Sequence, residues 1–302
     1  MYFQHSGEIW RDFAELVPGI VFAEGITPDV SVSDRTAKFN AIASSRLAER
    51  TESELPEIRA WRRVFAKMGL KPTQYRCASE SLLRRSRKEG TLPRLHPLVD
   101  VCNAVSLAYA IPVAVFDVSE ITGHLDVRYA AGDEEYLTFS GQAEHPGPHE
   151  VIFADRARRV HARRWTNRQS GLSAVQTSTT AALIVAEALH GSASSDVPEL
   201  IAAIADELAA VWPITPVATV LSQSAPALHV RAVTAVTMTP YPHWLIPGPR
   251  PGATACSRTI PRQLIRPAAD KRGGSVRRLE EDGRARPSPG ASAASLLRPA
   301  CS

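Results

Sequence analysis

The 302-residue chain is poor in several features that usually announce an activity. Its four cysteines, Cys77, Cys102, Cys256 and Cys301, lie far apart and form no C-x-x-C pair. That spacing excludes a zinc knuckle and a disulfide framework and points to a reducing compartment. No uncharged apolar run approaches the ~20 residues that a spanning helix needs. The N-terminus has no basic segment followed by an apolar one, so neither a membrane span nor a signal peptide is expected. A soluble, cytoplasmic protein is the expectation. The dinucleotide and P-loop glycine patterns are both missing, which removes the common nucleotide fingerprints. No G-x-S-x-G elbow occurs either. His145 and His149 are four apart, but Pro146 and Pro148 between them prevent a shared helical face, so a zinc site of that kind is excluded. No metal and no cofactor is expected. Aromatic residues make up only 6% of the chain, whereas 44% of residues are hydrophobic, enough to bury a substantial core.

The net charge of +4 conceals an asymmetry. Of 35 basic and 31 acidic residues, 12 and 4 fall after residue 230, so the first 230 residues hold 23 and 27. The basicity of the whole belongs to its C-terminal stretch. An anionic partner of the folded part would have to be held by local clusters rather than by a general field. Residues 231–302 also carry ten of the 23 prolines, are rich in Arg, Gly, Ala and Ser, and show no sustained period. They are expected to be a disordered extension, leaving residues 1–230 as the folded domain.

That domain is organised around Leu92–Arg128. Pro93 and Pro97 interrupt the chain. VDVCNAVSLAYA then reads as a helix buried on most sides, with Asp100 and Asn103 three apart on one face. Pro112 ends it, VAVFDV reads as a buried strand, and HLDVRYA follows as a strand of alternating polarity. Buried polar groups must be satisfied, so Asp100 and Asn103 either brace strand ends or face a pocket. Upstream, helices are expected near residues 8–17, 35–50, 56–68 and 78–90, with a strand at Gly19–Ile26. Downstream, strands are expected at Glu135–Phe139, Glu150–Asp155, Arg159–Trp165 and Pro216–Ser222, and helices at Thr179–His190 and Pro198–Trp212.

Three basic clusters stand out. Arg59–Lys67 reads as a solvated helix face. Arg84–Arg94, with Arg84, Arg85, Lys88 and Arg94, sits at a helix end beside the central loop and is a candidate phosphate-binding surface. The third, Arg156–Arg168, places Arg163, Arg164, Trp165, Asn167, Arg168 and Gln169 together. Arginine beside tryptophan, asparagine and glutamine suits recognition of a ribose, a terminal base or a carbonyl. His96 lies in a loop that the following helix start would aim at a pocket, although an ordinary loop histidine is the commoner case.

The run P-L-V-D-V-C-N-A-V (Pro97–Val105), then P-V-A-V-F-D (Pro112–Asp117), G-H-L-D-V-R (Gly123–Arg128) and E-V-I-F-A-D (Glu150–Asp155), resembles the B3/B4 domain of the phenylalanyl-tRNA synthetase beta subunit. RRWTNRQS (Arg163–Ser170), followed by a threonine-rich helix start at Thr177–Thr180, is similar to free-standing forms of that domain. The resemblance runs over roughly residues 5–230. It implies an α+β fold of three layers: a β-sandwich of unusual topology flanked by helices. It implies a tRNA partner, engaged at its aminoacylated 3′ end, and an editing-type activity that hydrolyses a mischarged aminoacyl ester in trans. Where many bacterial synthetases have P-M-H-A-F-D, with its histidine lining the editing pocket, this chain has Ala114. Gln169 falls near the family's pocket glutamate.

An aminoacyl ester is already activated, so hydrolysis needs a positioned water, shelter for the oxyanion and recognition of the α-amino group. On this reading Arg164, Asn167 and Gln169 supply donors, Asn103 or Asp100 holds the amino group, His96 transfers the proton, and Trp165 contacts substrate. Arg84, Arg85, Lys88, Arg94 and Arg168 contact tRNA. The competing readings are a non-catalytic tRNA or RNA-binding module and a small-molecule or protein-interaction domain. A pocket lined by the 96–103 and 163–169 segments and opening onto a basic surface favours the deacylase; a filled pocket with the basic surface intact favours the binding module; a pocket without a basic rim favours the third.

Overall fold

The structure is a computed structural model that describes residues 1–230; the extension expected at 231–302 lies outside the described residues. In chain order the elements are β1 (Tyr2–His5), α1 (Gly7–Asp12), β2 (Val17–Glu24), α2 (Ser33–Glu49), α3 (Pro56–Lys67), α4 (Ala78–Glu89), α5 (Pro97–Tyr109), β3 (Val113–Asp117), β4 (His124–Tyr129), β5 (Glu135–Leu137), β6 (Ala143–Glu144), β7 (Val151–Asp155), β8 (Arg159–Arg163), β9 (Arg168–Gln169), β10 (Ala181–Ala188), α6 (Ala193–Val211), β11 (Val217–Val220) and β12 (Ala227–His229). Local chemistry sets several of these boundaries. Pro56 and Pro97 occupy first helical positions, where a missing N–H costs nothing. Gly90 closes α4 at φ 77°, a conformation that glycine adopts freely.

Two sheets form. One has the order β12-β1-β4-β7-β8-β5-β6 with β9 paired to β8; the other has the order β11-β2-β10-β3. Most pairings are antiparallel, and β1·β4 and β5·β8 are parallel. Phe116 of β3 packs on Phe153 of β7 with ring centroids 5.4 Å apart, so the sheets meet face to face. The other face of the smaller sheet carries helices. Val21, Ile184 and Ala186 pack there with Leu98, Val105, Leu200 and Ile204. The layers are therefore helices, a four-stranded sheet and an eight-stranded sheet, the three-layer α+β architecture expected.

Strand β10 corrects the expectation of a helix at Thr179–His190. It pairs with β2 along one edge and β3 along the other, in the middle of the smaller sheet. Ala182, Ile184 and Ala186 face the helices, while Leu183 and Val185 face the larger sheet. A strand buried on both faces reads as an unbroken apolar run, and periodicity cannot tell that run from a buried helix. The helix expected from Pro198 begins earlier, at Ala193. No helix among the described residues is long and apolar enough to cross a membrane.

Candidate functional site

The turn between β8 and β9 is strained. Arg164 and Trp165 both have positive φ, 49° and 56°, although neither is glycine. Such backbone persists only where the surroundings over-determine it. Here Trp165 N–H donates to Val151 O at 2.8 Å, Asn167 N–H to Arg164 O at 3.2 Å, and Ala78 N–H to Thr166 O at 2.8 Å. Glu150 adds a clamp. It accepts from Arg163 Nε at 2.8 Å, Arg163 Nη2 at 2.9 Å and the Arg164 N–H at 3.0 Å. Burial works to raise the Glu150 carboxyl, but Arg163 and Arg164 outweigh it and hold the group below its ordinary range.

The Trp165 indole is wholly buried. Its ring makes edge contacts with Trp61 and Phe13, with centroids 5.1 and 4.8 Å away. Its Nε1–H donates to Glu187 Oε1 at 2.9 Å. The same oxygen lies 2.6 Å from His5 Nε2, and Trp61 Nε1–H donates to the Glu187 backbone carbonyl at 3.2 Å. Glu187 thus ties β10, β1, α3 and the β8–β9 turn together. Sequence reasoning missed it, because it looked like one polar residue in an alanine-rich helix.

Beside this network is a cavity of about 60 Å³, walled by Ala114, Trp165, Asn167, Arg168, Gln169 and Glu187, among others. Asn167 Nδ2 donates to Arg76 O at 2.7 Å, and Gln169 Nε2 donates to Val115 O at 2.6 Å. Each amide is pinned by its nitrogen, which leaves its carbonyl oxygen as a free acceptor. The two family positions identified from the sequence, Ala114 and Gln169, do share this cavity.

Asp100 and Asn103 line a different cavity, of about 480 Å³, between the start of α2, the 91–95 loop and α5; Arg94, Thr36 and Asn40 also reach it. Burial raises the Asp100 carboxyl, partly offset by the Leu95 N–H that donates to it at 3.0 Å. The expected convergence of the 96–103 and 163–169 segments on one cleft is corrected: they wall separate cavities. His96 lines neither. It caps α5, its Nδ1 accepting from the Leu98 N–H at 3.2 Å, while its Nε2 is buried without a partner. Burial lowers its pKa and favours the neutral ring. Arg164 lines neither cavity; its guanidinium stacks over Tyr75 at 4.9 Å.

The basic clusters are largely paired. Arg84 contacts Glu52 at 2.9 Å, Arg85 contacts Glu89 at 2.9 Å and Arg168 contacts Glu144 at 3.2 Å. Lys88 and Arg94 have no carboxylate within ion-pair distance among the described residues.

The fold and this turn define a two-sheet α+β domain with a small, mostly apolar cavity at a strained strand junction. Residues 60–197 match the B3/4 domain family, so the chain carries a B3/4-type domain. Over 69 residues, 23% of this chain, it is 36% identical to the phenylalanine–tRNA ligase beta subunit of Legionella pneumophila (strain Lens), of which the match spans 9%. Over 76 residues, 25% of this chain, it is 36% identical to the beta subunit of Cereibacter sphaeroides, again spanning 9% of it. Among solved structures, an N-terminal fragment of the phenylalanyl-tRNA synthetase beta subunit from Pyrococcus horikoshii aligns with 71% of this chain and 49% of its own. Its TM-score is 0.40 at 9% identity.

Proposed function

We propose that this chain binds the acceptor end of transfer RNA through its B3/4-type module, and that it does not hydrolyse esters of aromatic amino acids. The observation that carries the proposal is the cavity at the β8–β9 turn. Its volume of about 60 Å³ is well below the roughly 150 Å³ that accommodates a benzene ring. Trp165 fills the space and is fixed by Glu187 and two aromatic neighbours. The position of the synthetase histidine is Ala114, and His96 is committed to capping α5. Glu187, the one carboxylate on the cavity, has an oxygen taken up by His5 and Trp165.

Binding remains well served. The carbonyl oxygens of Asn167 and Gln169 suit ribose hydroxyls, an exocyclic amine or an α-ammonium group. Lys88 and Arg94 are free for phosphates. Arg84, Arg85 and Arg168 would first exchange a carboxylate for a phosphate. A second reading, a deacylase for a small aminoacyl group acting in trans, is favoured by the same acceptors, because a cavity of this size holds a methyl-sized side chain.

A panel of mischarged tRNAs tests both. Binding is followed by fluorescence anisotropy and hydrolysis by release of free amino acid. The expected result is salt-dependent binding of tRNA, weakened by Asn167→Ala and Gln169→Ala, with no release of tyrosine or phenylalanine. Rapid release of either aromatic overturns the proposal, and so does an absence of tRNA binding. Release of alanine or glycine alone selects the second reading.

A further inference from the structure

We infer that Glu57, His190 and Asp196 form a binding site for one divalent transition-metal ion, with zinc the best match to the ligand chemistry. The three residues come from the first turn of α3, the connection after β10 and the first turn of α6. One ligating atom from each lies within 4.8 Å of the others. His190 Nε2 stands 2.8 Å from Asp196 Oδ2. Ligands of a tetrahedral zinc at about 2.0–2.1 Å stand roughly 3.3 Å apart, so the His190–Asp196 pair would open and the wider contacts, within 4.8 Å, would close on coordination. Imidazole nitrogen and carboxylate oxygen are both donor types that zinc accepts, and the imidazole favours a transition metal over magnesium or calcium.

One further observation points to a missing ligand. Glu57 is 7% exposed, and its Oε2 has no hydrogen-bond partner. Buried polar atoms are nearly always satisfied, and an orphaned carboxylate oxygen in this three-residue cluster calls for an occupant. Arg46 holds the other oxygen of Glu57, donating at 2.6 Å, and is itself fixed by a 2.8 Å bond to Ala108 O. That is how an outer-shell partner orients a ligating carboxylate. Two carboxylates and one guanidinium leave the set one charge negative, which a dication reverses.

A cavity of about 340 Å³ opens alongside, walled by Arg46, Glu57, Tyr109 and Asp196, with Phe39 and Ile42 on its apolar side. Three protein ligands beside an open cavity leave an exchangeable fourth position. With the metal and Arg46 both cationic, the ligand class that fits this position is a small anion with an oxygen donor. The site shares no residue with the β8–β9 cavity, so it stands or falls apart from the tRNA reading.

Metal alone is the probe, and the full-length chain is the material. Titration with Co²⁺ is followed by visible absorption and calorimetry, then by displacement with Zn²⁺. One equivalent of cobalt with the strong visible bands of a tetrahedral ion is expected, displaced by zinc. His190→Gln and Glu57→Gln each weaken binding by at least about tenfold, since even outer-shell losses reach that size. His124→Gln, which alters a histidine paired with Asp126 elsewhere, leaves binding unchanged. Zinc raises the Tm of the unaltered protein and not that of the two site variants. The inference is overturned if the unaltered chain takes up no stoichiometric metal, whatever the variants do. It is equally overturned by thiolate charge-transfer bands, which would assign the metal to cysteine, or by affinity that survives both site substitutions.

Discussion

Glu187 illustrates how much one side chain decides. One of its oxygens meets both His5 and Trp165, and its backbone carbonyl accepts from Trp61. Removing the carboxylate leaves an imidazole and an indole N–H buried without partners, each worth about 1–3 kcal/mol. Glu187→Ala is expected to lower stability by at least about 2 kcal/mol in urea melts. Glu187→Gln, which keeps an acceptor, should lose less; equal losses would show that hydrogen bonding is not the cause. Asp155 makes a second prediction. Burial pushes its carboxyl up, but His161, Arg159 and the backbone N–H groups of Arg159 and Thr122 outweigh burial and hold it far below the ordinary range. A depressed carboxylate stabilises the fold above its unfolded value of about 3.9, and that contribution drains away as pH falls from there toward the folded value. Unfolding free energies measured from pH 7 down to pH 2 should fall steeply below pH ~4, and Asp155→Asn should flatten that fall. A variant curve parallel to the parent would remove Asp155 from the explanation.

At the scale of elements, β2 and α6 approach each other closely at Gly19. A Cβ at Gly19 would stand 2.6 Å from both Ile201 Cγ2 and Val197 Cγ1. Gly19→Ala is therefore expected to cost about 1–3 kcal/mol through overpacking. Adding Val197→Ala removes one of the clashing methyls, so the double variant should be more stable than the two single costs predict. Strict additivity in that cycle would mean that α6 simply shifts away. The β8–β9 turn shows the opposite economy, since its positive-φ residues are held by neighbours rather than by glycine. A cavity walled by over-determined backbone keeps its shape, which suits recognition of one rigid group.

Over the whole molecule, charge is unevenly spread: the first 230 residues hold 23 basic and 27 acidic side chains. On the proposed tRNA-binding reading, affinity would come from a few unpaired cations rather than from net charge. In the full chain, Lys88→Ala with Arg94→Ala should reduce the slope of log affinity against log salt by about 1.4–1.8, if each neutralises one phosphate. Arg85→Ala, which removes a cation already paired with Glu89, should change it less. An unaltered slope in the double variant would remove Lys88 and Arg94 from the proposed tRNA contact.

The sequence by itself determined most helices, most strands and the B3/4 resemblance. Pro56, Pro97 and Gly90 mark helix ends through backbone geometry, and the apolar face of α3 is set by spacing alone. It also marked Asn167 and Gln169 as polar residues beside an indole. Tertiary structure alone decided the rest. Whether AALIVAEA became helix or strand depended on β2 and β3 burying both of its faces, information that no local period carries. Whether Asp100 and Gln169 met depended on where two sheets and a helical layer lay, and they line different cavities. Glu57, His190 and Asp196 are brought together by α3, the end of β10 and α6, across a separation that leaves no ligand spacing in the chain. Local conformation follows from neighbours in sequence, whereas a site is a property of packing, and packing is settled by the whole core at once.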